Sequence, residues 1–156
     1  MRAHQLIRQT RERAGLSQDE VAGRVGLSFN NYFDVELYDD EFVTVLAVSQ
    51  ARVLCRQLGL RLAEVLASEP LEADLSSQLP PDLAGLPRHV LLRKRRESLG
   101  MSIEEVAFAI GFEEVAVDYI ETDDNYLDTL SITVVAELSI KLNLPLLPLL
   151  RSPSGG

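Results

Sequence analysis

Cysteine is almost missing from this chain. Cys55 stands alone among 156 residues. One thiol excludes an internal disulfide framework. Its neighbours Val53, Leu54 and Leu58 mark it as a small buried hydrophobe rather than a reactive group. Histidine is nearly as scarce, with His4 and His89 only. Neither belongs to a metal-ligand spacing, and the chain has no phosphate-cradling glycine loop and no nucleophile elbow. No enzyme activity, metal or cofactor is therefore expected. No apolar run reaches the length of a membrane span, and no basic-then-apolar leader opens the chain. The expectation is a cytoplasmic protein without a membrane partner. Positive charge is also short: 15 Lys+Arg face 24 Asp+Glu, a net charge of -9. Affinity for a nucleic acid duplex comes largely from cations that displace its counterions. An acidic chain can supply it only from a local basic face.

Apolar residues, in contrast, make up 46% of the chain. That is enough for a real core, and the length suits one ordinary domain or two small ones. The charge is uneven. Residues 1–66 carry 8 basic and 9 acidic groups, residues 67–86 none and 4, and residues 87–156 carry 7 and 11. The first segment is the least hostile to phosphate.

The stretch from Gly15 to Glu36 organises the rest. Ser17 is an N-cap, and Glu20 three residues on completes a capping box. Val21, Ala22 and Val25 form one apolar stripe at helical spacing. Gly26 suits the left-handed residue that ends a helix. Ser28 caps the next helix, whose Tyr32 and Val35 face the same core. Two capped helices joined by a glycine turn form a helix-turn-helix pattern.

That pattern occurs twice. When Gly15 is set on Gly100, Ser17 falls on Ser102, Val21-Ala22 on Val106-Ala107, Gly26 on Gly111, Tyr32 on Val117 and Glu36 on Glu121. Arg11 falls on Arg96. Further on, Leu54, Leu58 and Leu60 match Leu138, Leu142 and Leu144 with the displacement one residue shorter.

In order along the chain, a first helix is expected over 4–14, a fourth from about Val45 to Leu58 and a short fifth over Leu62 to Ala67. The first domain then spans 1–67 and the second 88–151. Between them, residues 68–87 hold four of the seven prolines with acids and serines, and read as a linker. Its scattered leucines suggest that it packs against something. The closing residues, 152–156, are expected to fray.

On Gly15, Ser17-Gln18, Val21-Ala22, Gly26, Leu27-Ser28, Tyr32 and Val35-Glu36, the chain resembles the phage-repressor (Xre-type) helix-turn-helix family. The resemblance implies an all-α fold of two tandem five-helix lambda-repressor-like domains. It implies a structural ion pair between Arg11 and Glu36, repeated as Arg96 and Glu121. It also implies that the third helix enters a major groove while the second sits over the backbone. The first copy would then contact DNA through Gln18, Ser28, Asn30 and Asn31, with Arg8 and Arg24 supplying charge. Phe29, Phe33 and Asp34 would share that exposed side. The implied function is a DNA-binding transcriptional regulator, acting as a homodimer on a two-fold operator. The second copy would serve structure or assembly.

Two departures keep a different reading open. The family's usual glycine after the third helix is absent, and Asp39-Asp40-Glu41 stand there instead. The second copy has Ile103 in the glutamine position, and Glu113, Glu114, Ala116 and Asp118 where the groove would be read. Carboxylates there meet phosphate repulsion, and only cytosine offers them a simple donor. The alternative is a protein-interaction module, antitoxin-like or regulatory, that has lost DNA binding and takes a basic protein partner.

Overall fold

The structure, a computed structural model, describes residues 1–153. It is all-helical, with no β-strand among the described residues. None of its helices is long and apolar enough to cross a membrane. The chain divides into two compact units, Met1–Leu71 and a second beginning at Glu72.

The first unit holds α1 (Ala3–Arg13), α2 (Gln18–Val25), α3 (Phe29–Leu37), α4 (Glu41–Thr44), α5 (Val48–Leu58) and α6 (Leu62–Ala67). Local chemistry sets several of these ends. Ser17 Oγ accepts from the Glu20 amide at 3.1 Å, and Glu20 Oε1 accepts from the Ser17 amide at 3.1 Å. The bond from the Ser17 amide, and then the Ser17 hydroxyl, hold the exposed Glu20 carboxyl below its usual pKa. Ser28 Oγ caps α3 through the Asn31 amide, also at 3.1 Å. Ile7 of α1, Val21 and Ala22 of α2, Tyr32 and Val35 of α3, and Leu54 of α5 are buried together with Leu66 of α6. Cys55 is buried as well, and burial, helped by the charge of Glu64, pushes its thiol up to about 12. It stays a neutral thiol at ordinary pH.

Gly26 sits at φ +82°, and a Cβ built there would meet nothing within 4 Å. The strain of adding one is therefore in the backbone alone. Gly26→Ala is expected to lower the stability of this unit by about 1–2 kcal/mol, and Gly26→Asn by less, read as a shift in the urea midpoint.

The stretch after α3 departs from the sequence reading, which has a loop there and a helix from about Val45. Phe42 and Val43 instead turn into the core, and burying them winds Glu41–Thr44 into one helical turn. The longer helix starts only at Val48.

The second unit holds α7 (Arg88–Ser98), α8 (Ile103–Ile110), α9 (Glu114–Thr122) and α10 (Ile132–Lys141). Single 3-10 turns form over Tyr126–Thr129 and Leu147–Leu150. Ser102 and Glu105 repeat the capping box, and Gly111 repeats the left-handed stop. Leu91, Val106, Ile110, Val117, Ile120 and Leu138 lie in its core, with Leu146 and Leu149 from the leucine-rich end.

The stretch expected as a linker is divided between the units. Glu69 belongs to the first, where its fully buried carboxylate accepts from Arg2 Nε at 2.7 Å and from the Ala3 amide at 3.3 Å. Residues 72–87 go with the second. Leu83 is buried there, and the Asp74 carbonyl accepts from the Leu146 amide at 2.8 Å. Of the tail expected to fray, residues 154–156 lie outside the described residues.

Candidate interaction surface

Each unit locks its third helix to its first through an arginine. In the first, Arg11 Nε donates to Glu36 Oε2 at 2.6 Å, and Nη2 donates to Oε1 at 2.9 Å. Nη1 donates to the Leu16 carbonyl at 2.9 Å, which also fixes the turn between α1 and α2. Glu36 is only 3% exposed. Burial alone would raise its pKa, but the bonds from Arg11, the nearby Tyr32 hydroxyl and the bond from Gln18, with the charge of Arg11, outweigh burial and lower it. Arg11 is raised in turn, chiefly by its bond to Glu36. Beside them, burial and then the Glu36 carboxylate keep the Tyr32 phenol protonated.

The second unit repeats the arrangement. Arg96 Nε donates to Glu121 Oε2 at 2.6 Å, Nη2 donates to Oε1 at 3.0 Å, and Nη1 donates to the Met101 carbonyl at 2.8 Å. The clasps differ at one place. Gln18 Nε2 donates to Glu36 Oε1 at 3.1 Å, whereas Ile103 has no donor to offer Glu121. The Gln18 amide is thus engaged inside the fold.

Of the other residues proposed for the first copy, Ser28, Asn30 and Asn31 lie together at the start of α3. Asn30, Asn31, Arg8 and Arg24 are exposed. Ser28 is occupied as a cap. Arg8 lines a hollow of about 100 Å³ with Gln18, Phe33, Glu36 and Leu37. Beside the exposed asparagines, α3 carries an outward apolar stripe: Phe29, Phe33 and Leu37 follow one another at four-residue spacing and all are exposed. The two rings stand 6.0 Å apart.

The carboxylates after α3 are not uniformly solvated. Asp39 pairs with Arg2 at 3.4 Å, and its carbonyl accepts from Arg2 Nη2 at 3.1 Å. Glu41 is raised by burial and then by the like charges of Asp34 and Asp40. Asp34, Asp40 and Glu41 are thus like charges set close together at the end of α3.

In the second unit the outward set is shifted from the sequence reading. Ala116 is buried at 8% exposure, so it does not face a groove. Val115 and Tyr119 face out instead, because α9 packs its Ala116, Val117 and Ile120 side inward. Phe108 on α8 is 89% exposed, the most exposed of the large hydrophobic side chains described. It borders a hollow of about 440 Å³ lined by Glu104, Ala107, Phe112, Glu113 and Glu114. A second hollow of about 340 Å³, lined by Ile103, Glu114, Val115 and Asp118, shares Glu114 with it.

The basic run on α7 does not reach this surface as a block. Arg96 is in the clasp. Arg95 Nε donates to the Leu142 carbonyl at 2.9 Å and Nη2 to the Asn143 carbonyl at 3.2 Å, closing the end of α10. Arg93 pairs with Glu97 along its own helix at 3.6 Å.

One organising residue escaped the sequence reading altogether. Arg88, 5% exposed, donates from Nη1 to Asp128 Oδ1 at 2.8 Å and to the Leu149 carbonyl at 3.0 Å. Its Nη2 donates to the Asp124 carbonyl at 2.6 Å, and its Nε lies 3.4 Å from Asp124 Oδ1. The repeat signals only the acidic partner, since Arg88 itself falls on Ala3. Asp124 falls where Asp39 does in the other copy, and each is met by an arginine from the start of its unit's first helix.

Among the described residues, no group of three or more His, Cys, Asp or Glu side chains is placed to hold a metal ion. Compared with family models, curated proteins and solved structures, the chain has no match.

Proposed function

We propose that the chain is a non-enzymatic protein-binding module built on the Xre-type helix-turn-helix plan. One observation carries this reading: α3 and α9 hold no lysine or arginine, and both turn apolar side chains outward. A helix in a major groove is flanked by phosphates and needs cations to neutralise them. Here the neighbouring charges are Asp34, Asp40 and Glu41 in one unit and Glu113, Glu114 and Asp118 in the other. Exposed aromatic and aliphatic side chains grouped on a helix face are instead the makeup of protein interfaces.

A second reading, duplex binding by the first unit as a homodimer, draws support from Arg8 beside Gln18 and from the exposed Asn30 and Asn31. In that reading the amides would meet adenine and the Phe33 ring a thymine methyl. Fluorescence anisotropy with a labelled mixed-sequence duplex separates the two. The expected result at about 50 mM salt is no saturable complex below about 10⁻⁴ M, weaker than ordinary non-specific binding. A complex with steep salt dependence that Gln18→Ala or Asn31→Ala weakens would replace the protein-binding reading with the regulator.

A further inference from the structure

The geometry points to the α8–α9 face of the second unit as a docking surface for a cationic amphipathic helix of a partner protein. This rests on the protein-binding reading and names the partner's chemistry.

Phe108 projects almost wholly into solvent, and Val115 and Tyr119 stand one turn apart on the neighbouring helix. The two hollows that meet at Glu114 lie among these side chains. An aliphatic side chain entering either hollow would bury apolar surface that is now wet.

Charge then selects the occupant. Glu104, Glu113, Glu114 and Asp118 surround the hollows, and all are exposed. From Ile103 to Thr122 there is no lysine or arginine to balance them. A neutral or acidic partner would strand these carboxylates beside an apolar contact. A partner with lysines or arginines flanking an aliphatic stripe would pair with them at the rim and fill the hollows at the centre. A duplex offers phosphates to the same carboxylates and is repelled.

The probe is a synthetic helical peptide of about 18 residues, with leucines on one face and lysines on the rest. It is compared with a scrambled peptide of the same composition and with oligolysine. Binding to the full chain is followed by anisotropy, and the site is mapped by amide shifts in ¹H–¹⁵N spectra. The expected result is saturable binding of the amphipathic peptide alone, with shifts confined to residues 103–119. Phe108→Ser should weaken it about tenfold, as loss of a central aromatic anchor does. Glu113→Gln and Asp118→Asn should each weaken it about two- to fivefold at low salt. Glu97→Gln and Glu137→Gln, charge losses on α7 and α10, should leave it unchanged. Phe108 is exposed enough that its replacement leaves the amide spectrum dispersed and the comparison valid.

Equal binding of oligolysine or the scrambled peptide would reduce the surface to non-specific charge and overturn the proposal. So would shifts centred elsewhere, or no binding at all. In either case the protein-binding reading stands unless the duplex titration also gives a complex.

Discussion

Arg11→Ala is expected to lower the stability of the first unit by about 3–5 kcal/mol, the cost of leaving a buried carboxylate without its partner. Glu36 has almost no access to water, and Arg11 supplies two of its three bonds from side chains. Gln18 alone cannot neutralise it. A domain of this size has about 5–15 kcal/mol in all, so thermal unfolding should fall by tens of degrees or the unit should fail to fold. The paired replacement Arg11→Met with Glu36→Leu should recover most of the loss, because it removes both charges at once. That contrast separates a desolvated ion pair from a packing defect. A loss below about 1 kcal/mol for Arg11→Ala, as for a solvated pair, would refute the burial argument.

The same clasp sets a pH dependence. Glu36 has a lowered pKa in the folded unit. Its contribution is therefore present above the unfolded carboxylate value of about 4.3 and is lost as pH falls through the lower folded value. Acid unfolding of the first unit should show this step, and the doubly substituted protein should lack it.

Arg88→Ala is expected to cost the second unit a similar amount, about 3–5 kcal/mol. Arg88 ties the start of α7 to Asp124 after α9, to Asp128 in the 3-10 turn and to the Leu149 carbonyl near the closing turn. Removing it leaves two largely buried carboxylates without that cation and two carbonyls without that donor. Arg88→Lys should recover only part, since an ammonium cannot match the guanidinium's spread of donors. Hydrogen exchange read by mass spectrometry locates the effect. Protection should fall across residues 88–150 and hold across residues 3–67. Loss of protection in both units, or in neither, would show that Arg88 is not the anchor described.

These two arginines show where reading a sequence succeeds and where it stops. Arg11 and Glu36 could be named in advance because the resemblance carries their spacing, and the repeat then pointed to Arg96 and Glu121. Arg88 could not, because its counterpart in the first copy is Ala3. The first unit uses the neighbouring Arg2 instead, on Asp39 and Glu69. The acidic loop was visible as a run of charge, but Asp39 is committed to an ion pair whereas Glu41 is crowded by Asp34 and Asp40. Charge counting treats them alike. The helix start at Val45 was misplaced because Phe42 and Val43 sit within acidic surroundings that read as loop, and only core burial explains their short helical turn. Ala116 was placed outward by position in the pattern. It turned inward because α9 rotates to pack Val117 and Ile120, which brings Val115 and Tyr119 to the surface.

The helical class, the doubling of the pattern, the caps at Ser17 and Ser28, the stop at Gly26 and the repeats of two of these at Ser102 and Gly111 were set by the residues alone. Those features depend on contacts between residues three or four positions apart, so they are legible one segment at a time. Which charges are occupied inside each unit, and which apolar side chains are left facing water, was settled only when the helices packed. Both depend on residues tens of positions apart meeting across packed helices, and local periodicity carries no record of which of them will meet.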